Sequence, residues 1–230
     1  MEVLITGSNR GLGLEWVRQL AGRGETVWAA ARHPARAEAL QRLAARYPAV
    51  HPLAMDVGDE ASIAAAVAEI ARHTDALDVV INNAGVLPEG ETIANLRRED
   101  MLTACRVNAI GPMLVVQHTL PLLRRGRRKV IFNVSTMLAS LTLKHGRSYY
   151  SYSASKAALN MFTRTLAAEL RPEGIIAVVV HPGWVRTDMG GPAAPLLPHD
   201  SVRGMLALLD GLTLEHSGRF WTWEGKEHPW

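Results

Sequence analysis

A single cysteine and the want of any long apolar run bound what this chain of 230 residues does. Cys105 stands alone, so an internal disulfide is excluded. Its setting, Leu102-Thr103-Ala104-Cys105-Arg106-Val107, predicts a packed, reduced thiol inside a helix. No apolar stretch approaches the length of a membrane span. No basic leader with a small-residue cleavage site precedes the first apolar run, residues 3–5, and the expectation is a soluble, cytoplasmic protein. The nine histidines lack the His-Glu-x-x-His pattern or any other ligand spacing, so no metal is expected. The net charge of +3 is scattered, except for Arg124-Arg125-Gly126-Arg127-Arg128-Lys129. No aromatic residue interleaves that run and no nucleic-acid motif surrounds it. It reads as a solvated turn between a helix and the strand at 130–132, not as a nucleic-acid or membrane patch.

What is present is a regular alternation. With 48% hydrophobic residues the chain can bury one substantial core, and residues 1–230 are expected to form a single domain. Residues 3–6 read as a strand and Gly7-Ser8-Asn9-Arg10-Gly11-Leu12-Gly13 as a glycine-rich turn, followed by Leu14, Trp16, Val17 and Leu20 at helical spacing. Such a turn lets backbone approach a ligand closely, and the helix start offers free amides and positive potential to a phosphate. A dinucleotide pyrophosphate is the natural guest. Strands follow at 26–30, 50–55 and 77–81, with helices at 35–46 and around Ile63, Val67 and Ile70. This order predicts a single-domain, Rossmann-type, doubly wound parallel α/β sheet of about seven strands, with ligands at the strand carboxyl ends.

The end of the second strand lacks the acidic residue that holds the ribose of NAD. It carries Ala30-Ala31-Arg32-His33 instead, and Arg10 lies in the glycine turn. Cations there suit a 2′-phosphate, so NADP(H) is favoured over NAD(H). Asp56, followed by Val57, either accepts from the adenine amino group, caps the helix after it, or does both. Asn82-Asn83-Ala84-Gly85 ends the fourth strand, where small residues let a nucleoside lie against backbone and an asparagine amide can tie strands together.

Residues 152–170 read as a helix stopped by Arg171-Pro172-Glu173-Gly174, with Ala154, Ala157, Ala158, Met161, Phe162, Thr165 and Leu166 recurring at helical intervals. Of the phenols Tyr149, Tyr150 and Tyr152, only Tyr152 has an ammonium, Lys156, one turn on. A nearby cation favours phenolate, which would let Tyr152 exchange a proton with a carbonyl or alcohol oxygen. Alone, the pair reads more readily as surface residues of an amphipathic helix, since Tyr-x-x-x-Lys is common by chance.

Taken together, Thr6-Gly7-Ser8-Asn9-Arg10-Gly11-Leu12-Gly13, Asn82-Asn83-Ala84-Gly85, Tyr152-Ser153-Ala154-Ser155-Lys156 and His181-Pro182-Gly183 resemble the signature set of the short-chain dehydrogenases/reductases. The run from Gly183 to Pro192, with Pro229-Trp230, resembles the C-factor and sniffer-like carbonyl reductase branch. The resemblance implies an NADPH-dependent carbonyl reductase of a small apolar aldehyde or ketone, with Tyr152 as general acid/base. It implies Lys156 on the nicotinamide ribose, lowering the Tyr152 pKa, and a proton-relay water held by Asn108. It places Gly7, Ser8, Asn9, Arg10, Gly11, Leu12, Gly13, Arg32, Asp56, Val57, Asn83, Ala84 and Gly85 on the cofactor, with Pro182, Gly183, Val185 and Thr187 on the nicotinamide side. The family's Asn-x-Ser-Ser reads Asn133-Val134-Ser135-Thr136 here, so Thr136 takes the carbonyl-binding place, and Ser135 is the fallback. The branch also implies an alternative, a dinucleotide-binding regulator or intercellular signal with little turnover.

Met137, Leu138, Trp184 and Met189, with Leu141, Leu196 and Leu197, offer an apolar substrate wall. Residues 86–96 and a loop carrying Lys144-His145-Gly146-Arg147 should complete the rim, and 190–198 reads as a mobile flap. Trp221, Trp223 and Trp230 either bind a ligand, anchor the chain or build a subunit contact. The faces of the helices at 102–123 and 152–170 either pack on the sheet or pair in a homodimer.

Overall fold

The computed structural model describes residues 1–146 and 148–230; Arg147, expected in the substrate rim, lies outside the described residues. Short apolar segments form β1 (Glu2–Thr6), β2 (Thr26–Ala31), β3 (Val50–Ala54), β4 (Val79–Asn82), β5 (Val130–Val134), β6 (Ile176–His181) and β7 (Phe220–Thr222). They make one seven-stranded sheet in the order β3-β2-β1-β4-β5-β6-β7, every adjacent pair parallel. Pro52 has no N–H to give to a ladder, and β3, which carries it, is an edge strand. The order reverses between β1 and β4, so the crevice for a ligand opens above Thr6 and Asn82.

Both sheet faces are covered. Val3 and Ile5 of β1 pack with Trp16, Val17 and Leu20 of α1 (Gly11–Gly22), Leu40 of α2 (Glu38–Arg46), and Val202 and Met205 of α7 (Pro198–Gly211). Leu4, pointing the other way, joins Ile63 and Val67 of α3 (Glu60–Ala71) and Val115 of α5 (Gly111–Arg125). A core on each face explains why the strands are apolar throughout.

The remaining helices position the site. α4 (Arg98–Cys105) runs into α5 through a five-residue π-turn, Arg106–Ile110, that carries Asn108. α6 (Tyr150–Leu170) begins two residues before the expected start, so Tyr152 lies within its first turn. Its inward face is Ser151, Ser155, Lys156, Leu159, Asn160 and Thr163, whereas the recurring Ala154, Met161, Phe162 and Thr165 face solvent. The reason is polar pairing: Asn133 Nδ2 donates to Thr163 Oγ1 at 2.8 Å and Ser135 Oγ to Asn160 Oδ1 at 2.8 Å. The outward apolar stripe therefore does not pack on the sheet.

Other expectations shift in detail. The helix expected at 35–46 is divided: a single 3-10 turn, Pro34–Arg36, precedes α2, because Ala37 takes a non-helical ψ of 79°. Cys105 is free but only half-buried. Asp59, not Asp56, caps α3, accepting from Ala61 N at 3.0 Å. Segment 190–198 is tied at Leu196, where Arg186 N donates to Leu196 O at 2.8 Å and Leu196 N to Trp184 O at 3.3 Å. The tryptophans anchor: Trp221 is buried, and Trp230 lies 5.6 Å from the Phe220 ring and 5.2 Å below Arg164.

The arginine-rich turn is solvated and fastened from beneath. The Asp78 carboxylate accepts from Glu2 N at 2.9 Å, Arg127 N at 2.7 Å and Arg128 N at 3.3 Å. Burial alone would raise its pKa, but these backbone donors together hold it below the ordinary value. Asp78 thus contributes stability above its unfolded pKa, lost as pH falls through the lower folded value. Asp78→Ala is expected to cost about 1–3 kcal/mol at pH 7, and less at pH 3, in urea unfolding curves.

Candidate functional site

The glycine turn is built by close contact. Thr6 Oγ1 accepts from Asn83 N at 3.1 Å and Ala84 N at 3.0 Å, while Asn83 Nδ2 donates to Thr6 O at 3.0 Å. β1 and β4 are thereby tied where the crevice opens. Gly7 sits at φ +70°, and a Cβ there would meet Ala84 Cα at 2.9 Å; one on Gly13 would meet Gly7 O at 2.1 Å. α1 then starts at Gly11 with no side-chain cap and no acidic residue in its first turn. Its first amides face the cleft unneutralised, the arrangement that suits a pyrophosphate.

A cavity of about 400 Å³ runs along the strand ends. Its wall contains Gly7, Asn9, Arg10, Gly11, Leu12, Arg32, Asp56, Val57, Asn83, Ala84, Gly85, Tyr152, Lys156, Pro182, Thr187 and Met189, all named from sequence. Val86 and Asp188 join them from the segments expected to form the substrate rim, and His33, Arg36 and Val107 join them without having been expected. Arg36 was hidden because its segment reads as helix; the 3-10 turn brings it beside Arg32. Asp56 Oδ1 accepts from Gly58 N at 2.9 Å, which leaves Oδ2 for an adenine amino group. Arg10 reaches across the mouth to Asp188 at 2.8 Å, both side chains largely exposed. The cleft, with its glycine cradle, free helix start and basic end, fits a dinucleotide carrying an extra phosphate.

Some expected residues lie outside this wall. Ser8 and Gly13 are buried beneath the turn, where Ser8 Oγ donates to Ile5 O at 2.9 Å; their work is to shape it. Val185 is buried against Leu196, and Gly183, at φ +86°, packs on Leu196 and Trp223. Met137 and Trp184 are exposed and Leu138 half-buried, and none of the three belongs to the cavity wall. Trp184 Nε1 donates to Gly190 O at 2.8 Å, which holds the ring over its own loop.

At the far end the catalytic candidates converge. Thr136 is buried, and its hydroxyl is within hydrogen-bonding reach of the Tyr152 phenol. Ser135 touches the cavity, but its hydroxyl is committed to Asn160. Thr136 lies outside the cavity wall, and its Oγ1 accepts from Leu138 N at 3.2 Å, which leaves its O–H free to donate. Lys156 is buried and donates from Nζ to Val134 O at 2.7 Å. Asn108 Oδ1 accepts from Val86 N at 2.8 Å, and its Nδ2 donates to Val86 O at 2.9 Å and Ser155 Oγ at 3.0 Å. Ser155 Oγ in turn donates to Tyr152 O at 2.9 Å. Ser155 escaped the sequence reading as a functional residue because serine at a helix interior carries no local signal.

Burial governs the proton chemistry. It pushes Tyr152 up to about 12, against a smaller lowering from the Thr136 hydroxyl, and it pulls Lys156 down to about 8. The expected lowering of Tyr152 by Lys156 does not appear, because the ammonium is turned to the Val134 carbonyl. The phenol is therefore protonated at neutral pH. His181, beside Pro182, is held down to about 4 by burial and by His228, and is neutral at pH 7. Among the described residues no group of three or more His, Cys, Asp or Glu could hold a metal, and no helix is long and apolar enough to cross a membrane.

Comparison with known proteins points the same way. The sequence model of the family "short chain dehydrogenase" matches residues 2–195. The C-signal of Myxococcus xanthus is 46% identical over 157 residues, covering 68% of this chain and 95% of that protein. An NADPH-bound carbonyl reductase from chicken fatty liver superposes with a TM-score of 0.94 at 38% identity, covering 100% of this chain and 98% of the other. The carbonyl reductase Sniffer of D. melanogaster gives 0.96 at 31% identity, covering 100% and 99%.

A buried ammonium with one protein partner costs stability. Since the Lys156 pKa falls from 10.5 to about 8, the unfolded chain binds more protons between those values, and the cost is full below pH 8 and fades as pH rises to 10.5. Lys156→Met is expected to be more stable than the parent at pH 7, by up to about 3 kcal/mol. The gain shrinks towards pH 10, as read by paired denaturant titrations.

Proposed function

The chain belongs to the short chain dehydrogenases, and from that premise we propose that this NAD(P)-dependent oxidoreductase is an NADPH-dependent carbonyl reductase. Residues 1–230 are read as one dinucleotide-binding catalytic domain working in the cytoplasm, without nucleic-acid or membrane partners. The observation that carries the reading is the meeting of Tyr152, Thr136 and Lys156 at the inner end of a cleft whose outer end is lined by Arg32 and Arg36. Gly7, Gly11, Leu12 and the start of α1 would hold the pyrophosphate, and Arg10, Arg32 and Arg36 the 2′-phosphate. Lys156 would bind the nicotinamide ribose and Thr187 the carboxamide. When bound, the cofactor supplies hydride to the carbonyl carbon.

The chain's own residues do the rest. Thr136 donates to the substrate carbonyl oxygen and orients it. Tyr152, kept protonated by burial, gives its proton to that oxygen as negative charge develops there. Lys156 and a water held near Asn108 refill the phenol. Small apolar aldehydes and ketones suit the mouth, where Met137, Trp184 and Met189 are exposed. The second reading, a dinucleotide-dependent regulator with little turnover, is favoured by the 46% identity to C-signal.

Separating the two takes NADPH and NADH fluorescence titrations followed by assay over a panel of aldehydes, ketones and quinones. NADPH is expected to bind at least about tenfold tighter than NADH. Tyr152→Phe should remove at least about 99% of turnover with NADPH affinity unchanged. The reductive rate should fall as pH rises through about 8, where Lys156 loses its charge. Tight NADPH binding without turnover on any carbonyl would favour the regulatory reading.

The exposed stripe of Met161 and Phe162 on α6, with Met101 and Leu102 on the adjoining α4, is read as the contact of a homodimer. Met161→Arg is expected to shift the chain to monomer in sedimentation equilibrium.

A further inference from the structure

Helix α6 carries the chemistry, yet nothing local caps its start. The N-cap position is Tyr149, held in the left-handed region at φ 65°, ψ 44°; its side chain makes no capping bond, and the first turn has no acidic residue. Four N–H groups at a helix start need partners from elsewhere. One partner arrives from a distant loop. Glu91 is only 6% exposed, and its Oε2 accepts from Ser151 N at 2.9 Å while Oε1 accepts from the Ser151 hydroxyl. A carboxylate at this point meets both the orphan amide and the positive end of the helix, one residue before Tyr152.

The segment that delivers Glu91 is itself braced. Asn95 Nδ2 donates to Gly90 O at 3.0 Å, and its Oδ1 accepts from Thr92 N at 2.6 Å, closing a small ring around Glu91. At the other end, Val86 has both backbone groups bonded to Asn108. The loop is thus fixed at one end to the π-turn and in its middle to the catalytic helix. We propose that Glu91 is a positioning residue for the carbonyl reduction: a remote N-cap that sets the start of α6, and so the Tyr152 hydroxyl, while locking the 86–96 rim of the substrate mouth to the same helix. This rests on the reductase reading for its catalytic consequence, but the capping geometry stands apart from it.

The test uses the full chain and three variants, Glu91→Ala, Glu91→Gln and Glu91→Asp, with two independent readouts. Amide hydrogen exchange at residues 151–153 reports the cap, and kcat and NADPH affinity report the site. In Glu91→Ala, exchange at 151–153 should rise at least about tenfold. Its kcat should fall on the order of ten- to a hundredfold, with the NADPH Kd within about twofold of the parent. Glu91→Gln keeps a side-chain oxygen for Ser151 N–H and should recover most of both losses. Glu91→Asp draws the carboxylate back by one methylene and should show the alanine effects at smaller size, which decides the matter if the alanine variant does not fold. Unchanged exchange, or raised exchange with unchanged kcat, overturns the proposal. Failure of the parent to reduce any carbonyl would sink the reductase reading instead, and exchange would still decide the cap.

Discussion

The amide of Asn108 is the interaction on which the rest of the site depends. An amide both donates and accepts, and this one takes the Val86 N–H, returns a bond to the Val86 carbonyl and gives a second to Ser155. No other side chain of that size satisfies both groups of one backbone residue and a hydroxyl together. Aspartate would lack the donors, and leucine would leave both backbone groups of Val86 without their partner. The π-turn that carries Asn108 widens a helix at the point where the side chain must reach two neighbours. Through Ser155 the influence runs to the Tyr152 carbonyl, so the loop after β4, the π-turn and α6 share one hydrogen-bonded junction.

Around that junction burial works against charge. Tyr152 is driven up and Lys156 down, both towards their neutral forms, and neither finds a full counter-charge. A packed apolar pair would hold the fold better. The chain keeps an ammonium in the dark with one carbonyl for company, the kind of local cost that marks a site selected for chemistry and not for stability.

The sheet, its order and most of the cleft wall were legible in the sequence because their signals are local. Strand, glycine turn and helix follow one another within 22 residues, and Tyr152 and Lys156 lie one turn apart. What escaped depends on the third dimension. Met161 and Phe162 recur at helical spacing, which leaves open which way they face; the inward face of α6 is chosen by Asn108, Asn133 and Ser135, which lie far off in the chain. Asp56 looked like a cap by position, yet Asp59 is three residues nearer the helix and takes the role. Gly13 looked like a cofactor contact, and its necessity is the 2.1 Å it would leave between a Cβ and the Gly7 carbonyl. Glu91 gave no sign at all, since its partner is 60 residues away.

The Arg10–Asp188 pair joins the glycine turn to the arm after β6 across the open mouth, with side chains 67% and 73% exposed. At that exposure an ion pair is worth less than about 1 kcal/mol. Such a contact is no bolt: it breaks and reforms on the timescale of side-chain motion, and an arriving polyphosphate competes for Arg10 on better terms than a single carboxylate. The bridge keeps a guanidinium extended at the entrance, ready to exchange the Asp188 carboxylate for a phosphate, and dissolved salt weakens both contacts by screening.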